Sequence, residues 1–190
     1  LGTDAGLFWL DQQTGDWQLE PLQTGAVQPH IGVLLLDQKQ QLWIGSRSDG
    51  LFRLNAAGAT QYRHDLASDV GLASNTISTL QTDYLDDVWI GYADQGISRL
   101  DQMTGKIQSW REGTPQAAGL TFNGIQLIYR QEQLLWVRAG GVNHRVIRDQ
   151  RQPKTIIGFK PYLNAADHDV ELQQASHFLW LYRNRLEDQE

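Results

Sequence analysis

Five side chains suited to binding an anion or a sugar recur at similar places in the sequence. Each follows a recurring tryptophan within four residues: Arg47, Tyr92, Arg138, Tyr182 and Arg183. Guanidinium groups bind carboxylates through paired hydrogen bonds, and tyrosines offer a ring for stacking and a hydroxyl for hydrogen bonding. Both residue types are enriched on binding surfaces. We therefore predict that they line one face that binds an anionic or carbohydrate ligand; the alternative is that they are ordinary solvated loop residues.

Catalytic and metal-binding chemistry has less support in the residues. The sequence has no nucleophile elbow, phosphate-binding glycine loop or helical metal motif. It has no cysteine, which excludes disulfides and thiolate metal sites. Two acidic segments, 83–87 and 167–169, offer oxygen ligands but lack the dense ligand series of known calcium sites or a recognisable ligand spacing. We predict a solvated turn at 167–169, an acidic turn without calcium at 83–87, and no metal, cofactor or catalytic residue.

Charge and hydropathy exclude two further kinds of partner. The net charge is −6, and the basic residues are four lysines and twelve scattered arginines, so nucleic-acid binding is not expected. The apolar runs, such as 33–36, are far shorter than a membrane span. The sequence begins with Leu1 rather than methionine and shows no signal peptide, so we expect it to be a piece of a longer protein.

The tryptophans that precede the candidate binding residues form a repeat. Trp43, Trp89, Trp136 and Trp180 are separated by 46, 47 and 44 residues, and each lies inside a similar short apolar phrase. A fixed period of this length without a helical pattern indicates an array of small β-sheets. The tryptophans are best interpreted as packing between neighbouring sheets; the alternative is that they form a ladder for stacking sugars.

Each repeat reads as four short strands joined by turns. Gly50 and Gly96 both follow their tryptophan by seven residues, where a tight turn requires a positive φ. A four-stranded antiparallel meander at this period is a propeller blade, so we predict an all-β propeller segment of about four blade equivalents. The predicted units of this single segment are an outer half-blade at 1–20, blades at 30–66, 75–113 and 121–160, and an inner half-blade at 169–186.

The two terminal half-blades do not decide whether the array closes into a ring. They could pair into one composite blade and give a four-bladed ring. Alternatively, the segment is an open arc of a larger ring, or two arcs join as a dimer. An open arc has unpaired strand edges, so we expect either closure or self-association through those edges.

The repeat resembles a known family. An apolar strand, an aspartate six residues before the tryptophan, a Trp-Ile-Gly phrase and a later Thr-Gly turn are similar to the two-component regulator propeller repeat. The segment from Gly71 to Ile77 is similar to the linker between blades of that family. The resemblance extends over nearly the whole chain and is strongest over 1–113. It implies the periplasmic sensor region of a membrane-anchored receptor that continues into a three-tyrosine domain, a membrane helix and a kinase or cyclase.

The later repeats depart from the pattern of the first two. The aspartates at 37 and 83 are replaced by Arg130 and Gln174, and the glycines at 45 and 91 by Arg138 and Tyr182. In the third full unit, Gly141 follows its tryptophan by five residues instead of seven. These changes place larger and more polar side chains where the repeat otherwise has bare backbone.

The resemblance implies a ligand- or partner-binding sensor segment in the periplasm, without catalytic activity of its own. Two alternatives remain open at this stage. One is a fragment of a propeller enzyme, such as a lyase or hydrolase, whose active centre gathers loops around the axis. The other is a protein-binding scaffold without a small ligand.

Overall fold

Strands make up nearly all the regular structure in residues 1–22, 28–65 and 71–162, which are the residues described by this computed structural model. They form four sheets, here called I to IV. Sheet I contains β1 (Gly2–Thr3), β2 (Gly6–Leu10) and β3 (Trp17–Glu20). Sheet II contains β4 (Ile31–Leu36), β5 (Leu42–Ser46), β6 (Leu51–Asn55) and β7 (Gly58–Tyr62).

Sheets III and IV continue the same plan. Sheet III contains β8 (Ile77–Thr82), β9 (Val88–Tyr92), β10 (Ile97–Leu100) and β11 (Ile107–Trp110). Sheet IV contains β12 (Ile125–Gln131), β13 (Leu134–Ala139), β14 (Val142–Arg148) and β15 (Ile156–Tyr162). One 3-10 turn, Pro115–Ala117, is the only helical element in the described residues, and none of these residues forms a helix that could span a membrane.

Every sheet is a meander in which consecutive strands pair antiparallel. The register repeats from sheet to sheet: Ile44 lies opposite Phe52, Ile90 opposite Ser98, and Val137 opposite His144. The predicted all-β fold of four-stranded antiparallel blades is therefore confirmed. The predicted half-blade at 169–186 and its tryptophan, Trp180, lie outside the described residues.

Consecutive sheets meet through their first strands. β4 packs against β8, and β8 packs against β12. The Trp-Ile-Gly phrase ends in glycine because the next sheet leaves no room for a side chain. A Cβ on Gly45 would lie 2.7 Å from Cγ2 of Ile77, and one on Gly91 would lie 2.7 Å from Cγ2 of Ile125.

Three of the recurring tryptophans are buried, and two of these lie between sheets. Trp43, Trp89 and Trp136 are at most 1% exposed. Trp43 belongs to a core cluster with residues of sheet III, and Trp89 belongs to a cluster with residues of sheet IV. Since their rings are covered, these three tryptophans cannot stack on a sugar.

The turns between the second and third strands require left-handed backbone at one position. Gly50 has φ 82° and Gly96 has φ 79°. A Cβ on Gly96 would also lie 2.1 Å from the carbonyl oxygen of Trp110. Both the conformation and the space therefore call for glycine, as the sequence indicated.

Candidate functional site

The meander topology gives the array two rims. One rim carries the turns that join the first strand to the second and the third to the fourth; we call it the ionic rim, and it includes residues 37–41, 83–87, 101–106 and 149–155. The other carries the second-to-third turns and the linkers between sheets; we call it the linker rim, and it includes residues 47–50, 71–76, 93–96 and 111–124.

Two aspartates organise the ionic rim. Oδ2 of Asp37 accepts a hydrogen bond from Nε1 of Trp43 at 2.8 Å, and Oδ2 of Asp83 accepts one from Nε1 of Trp89 at 2.7 Å. The Oδ1 atom of each aspartate accepts two backbone N–H groups of its own turn. Each carboxylate therefore shapes the turn and satisfies the buried indole, which explains the six-residue spacing in the sequence.

The same aspartates also contact the following sheet. Asp37 accepts a hydrogen bond from Nε2 of Gln102 at 3.2 Å, and Asp83 forms an ion pair of 2.5 Å with Arg148. Both partners lie 65 residues further along the chain. The same contact therefore occurs twice. Between sheets II and III the partner of the aspartate is neutral, and between sheets III and IV it is charged.

The acidic turn at 83–87 is buried at both of its ends, whereas the predicted solvated turn at 167–169 lies outside the described residues. Asp83 and Asp87 are each 1% exposed. Asp87 lies 3.8 Å from Arg99 and 3.7 Å from Lys154. Arg99 of sheet III and Lys154 of sheet IV therefore supply cations that balance the charge of the turn. In the described residues, no group of three histidines or acids is arranged to hold a metal.

Burial, hydrogen bonds and neighbouring charges shift the pKa values of Asp87 and Asp101 in opposite directions. Burial, followed by the charge of Asp83, raises the pKa of Asp87. Burial alone would also raise the pKa of Asp101, but hydrogen bonds from Lys154, Thr104 and Met103 lower it to about 2. The 2.6 Å contact between Lys154 and Asp101 joins the outer parts of sheets III and IV.

The predicted binding residues differ in exposure and do not occupy equivalent positions on the linker rim. Arg47 and Arg138 are exposed, on sheets II and IV respectively, and β8 of sheet III lies between β4 and β12. Tyr92 is 0% exposed, so the prediction that it lines an open binding face was wrong. The three residues follow their tryptophans by four, three and two positions, and side chains alternate between faces along a strand. Tyr182 and Arg183 lie outside the described residues.

A polar cleft of about 560 Å³ opens on the linker rim. One wall is the linker between sheets II and III, and the other is the second-to-third turn and outer strand of sheet III. The lining residues are His64, Gly71, Leu72, Ala73, Ser74, Thr76, Asp94, Gln95, Ser109 and Arg111. The family-like linker pointed to one wall, but none of these residues was among the predicted binding residues, because none follows its tryptophan at the spacing that guided the prediction.

An asparagine fixes the linker wall to the preceding sheet. The carbonyl of Asn75 accepts from the N–H of Gly50 at 3.0 Å, and its side-chain oxygen accepts from the N–H of His64 at 2.8 Å. Asn123 makes the same two contacts one repeat later, with Gly96 and Glu112. The linkers are therefore held by a recurring clasp.

A buried hydrogen-bond chain joins the two walls beneath the cleft. The hydroxyl of Tyr92 donates to Oγ of Ser98 at 3.0 Å and accepts from the N–H of Ala73 at 3.2 Å. Oγ of Ser98 lies 2.7 Å from Oγ of Ser109. Burial raises the pKa of Tyr92 to about 12, so its hydroxyl remains a donor at any physiological pH. Tyr92 therefore supports the cleft from below.

The chemistry of the cleft is suited to binding. Nδ1 of His64 lies 2.6 Å from the carbonyl oxygen of Leu72, and because a carbonyl only accepts, this nitrogen carries the proton. Nε2 of the neutral ring is then an acceptor. In the described part of the cleft no hydroxyl is hydrogen-bonded to His64, so a nucleophile–base pair is not assembled there.

Comparisons with known proteins show a likeness in fold. No protein-family model matches the chain, and neither does any curated protein. The extracellular domain of a protein assigned to the hybrid two-component systems of Bacteroides thetaiotaomicron is 17% identical, with a TM-score of 0.67 over 86% of this chain and 23% of that one. Virginiamycin B lyase from Staphylococcus aureus is 14% identical, with a TM-score of 0.56 over 83% of this chain and 48% of that one.

A streptogramin B lyase gives a similar result, with 14% identity and a TM-score of 0.58 over 85% of this chain and 49% of the lyase. The chain thus spans about a quarter of the sensor domain and about half of each lyase. At these identities the likeness shows the fold alone, which is that of a propeller segment.

Proposed function

We propose that this chain is a ligand-recognition segment in the periplasmic sensor region of a membrane-anchored bacterial signalling receptor, without catalytic activity of its own. The observation that carries the proposal is the polar cleft on the linker rim. Its volume of about 560 Å³ lies in the range of small-molecule sites, and its polar groups converge from two sheets. The likeness in fold to a two-component extracellular domain supports the same reading.

The position of the cleft suits a sensor because a ligand there contacts two sheets at once. Its linker wall carries Asn75, which is hydrogen-bonded to the second-to-third turn of sheet II. Its other wall belongs to sheet III and is joined to Ala73 through Tyr92. A ligand that binds both walls would therefore stabilise one arrangement of the two sheets, which is the requirement for passing a binding event onward.

A propeller lyase is the second candidate. It rests on the likeness in fold to two lyases and on His64, which lines the cleft with an acceptor nitrogen. One virginiamycin B lyase structure with quinupristin is described as a catalytically inactive histidine-to-alanine variant. If this chain were a lyase, His64 would be the expected general base.

A cleft-filling variant tests the sensor proposal. Thr76 is exposed and lines the cleft, so Thr76→Trp should occupy the site without disturbing the core. Ala57→Trp is the matched control, since Ala57 is exposed in a turn on the ionic rim. The readout is the signalling output of the parent receptor, measured with a reporter across a nutrient panel. We expect Thr76→Trp to abolish the response and Ala57→Trp to retain it.

The contrary outcomes are distinct. An unchanged response in the folded Thr76→Trp variant would remove the cleft from sensing. Conversion of a nutrient by the purified chain, lost in His64→Ala, would instead favour the lyase.

A further inference from the structure

Corresponding positions of sheets II and III differ in their charge pairing. Arg63 follows the last strand of sheet II and lies 3.5 Å from the carboxylate of Asp49 in the second-to-third turn. Arg111 follows the last strand of sheet III in the same way, but Gln95 takes the place of the aspartate. Among the residues that the structure describes, Arg111 consequently forms no ion pair.

A carboxylate in the same cleft is also without an ion-pair partner in the described residues. Asp94 stands where sheet II has Ser48, and it lines the cleft together with Arg111. No ion pair joins the two, so they present separate positive and negative groups to the same space. Unlike charges that line one cleft without neutralising each other complement a ligand that carries both signs.

The remaining lining groups favour a polar ligand. Nε2 of neutral His64 can accept a hydrogen bond, and Ser74, Thr76 and Ser109 provide hydroxyls. No tryptophan, tyrosine or phenylalanine is among the described lining residues, so the cleft offers no ring for stacking a sugar.

The buried polar chain beneath the cleft distinguishes sheet III from sheet II. Ser98 occupies the position that Phe52 occupies in sheet II, and Tyr92 that of Ser46. Buried hydroxyls add little stability even when hydrogen-bonded. Their effect here is to fix Ser109 and the backbone of Ala73, one on each wall of the cleft.

We propose that the cleft binds a small zwitterion of about dipeptide size, with a free carboxylate and a free ammonium group. Arg111 binds the carboxylate, and Asp94 with Nε2 of His64 binds the ammonium. The assignment rests on the proposed function, since it names the ligand class of the same cleft. A guanidinium can hold a carboxylate through two charge-assisted hydrogen bonds, and the volume accommodates two amino-acid residues.

Calorimetric titration of the full chain with L-alanyl-L-alanine tests the assignment. Loss of a charge-assisted contact should weaken binding by roughly 10- to 100-fold in Arg111→Gln and similarly in Asp94→Asn. Arg63→Gln, which changes the corresponding arginine of sheet II, should leave binding unchanged. Both altered site residues are exposed, so the variants should fold, and circular dichroism checks this.

Blocked dipeptides assign each end of the ligand. The C-terminal amide should bind weakly, and Arg111→Gln should weaken it no further. The N-acetyl derivative should likewise be insensitive to Asp94→Asn. The assignment would be overturned if alanyl-alanine did not bind. It would also be overturned if alanyl-alanine bound with the same affinity to both variants as to the wild type.

A neutral sugar separates this inference from the sensor proposal. If maltose bound and Thr76→Trp blocked it, while alanyl-alanine did not bind, the zwitterion assignment would fail and a ligand-binding cleft would stand. If Thr76→Trp left receptor output unchanged although alanyl-alanine bound through Arg111 and Asp94, the sensor proposal would fail and the zwitterion site would stand.

Discussion

Trp89 shows how much one side chain of the repeat contributes to the stability of the fold. It is 0% exposed, its ring stacks on Trp110 with centroids 5.3 Å apart, and its indole N–H is satisfied by Asp83. Trp89→Ala should lower the free energy of unfolding by about 3–5 kcal/mol, as for other buried aromatics. Urea denaturation measures this, and Trp9→Ala, at a tryptophan that is 47% exposed, is the control. Equal, small shifts in both variants would contradict the packing assignment.

His144 makes the stability dependent on pH. It is 0% exposed, with Nε2 3.0 Å from Oγ1 of Thr121, and burial lowers its pKa. Because the folded pKa lies below the unfolded value of about 6.5, the stabilisation is complete above that value and falls as the pH drops below it. The free energy of unfolding should therefore decline from pH 7.5 to pH 5.

His144→Phe should weaken that decline because phenylalanine does not titrate. The substitution should be tolerated because sheet II has Phe52 at the corresponding place. Denaturation of His144→Phe at several pH values tests this, with His30→Gln, at an exposed histidine, as the control. A decline of the same size in His144→Phe and the wild type would show that other groups cause it.

At the scale of single residues, the sequence predicted structural positions better than binding positions. The glycines and tryptophans recur because the packing of one sheet on the next restricts volume and backbone at the same place in each repeat. Binding residues need not recur. Asp94 replaces Ser48, and Arg111 is the same residue type as Arg63 but lacks a partner like Asp49, so a search for shared features passed over both. Tyr92 was misplaced because its offset from the tryptophan puts it on an inward face.

Among the elements, the contact between sheets III and IV differs in kind from the one between sheets II and III. The carboxylate of Asp83 pairs with Arg148, whose side chain is 11% exposed, whereas Asp37 accepts from neutral Gln102. Asp83→Asn should cost about 3–5 kcal/mol, because it leaves a nearly buried guanidinium uncompensated. Asp37→Asn should cost only about 1–3 kcal/mol.

Thermal and urea denaturation of the two variants compares these costs directly. Since both substitutions alter the same bond to a tryptophan, the difference between them reports the partner in the next sheet. If Asp37→Asn were the more damaging, the ion pair would not be the stronger contact.

The strand order, the turns and the period could all be predicted from sequence because they arise within one repeat. The partners across sheets could not. Asp83 and Arg148 are 65 residues apart, and only the packed array brings them together. The burial of the acidic turn at 83–87 could not be predicted for the same reason, since Arg148 and Lys154 come from the following repeat.

At the scale of the whole molecule, we propose self-association at the open edge of sheet I. β1 pairs with only Gly6 and Leu7 of β2, and an apolar groove of about 500 Å³ lies between sheets I and II. Trp9 and Leu36, which line it, are 47% and 58% exposed. Open strand edges beside exposed apolar surface favour pairing with another chain.

Sedimentation equilibrium over a range of concentrations should therefore show reversible association, reduced in Leu36→Glu. Ile157→Glu is the matched control, since Ile157 is 57% exposed on β15. Equal association in both variants would place the contact away from the groove.

The packing of β4 on β8 and of β8 on β12 gives the array the thermodynamics of a short one-dimensional chain of coupled units. Among the described sheets, sheet III is packed between two four-stranded neighbours, whereas sheet I is three-stranded and packs on sheet II through β1 and Leu7. Amide hydrogen exchange should therefore be slowest in sheet III and faster in sheet I. Uniform protection across the sheets would show instead that the array opens as one cooperative unit.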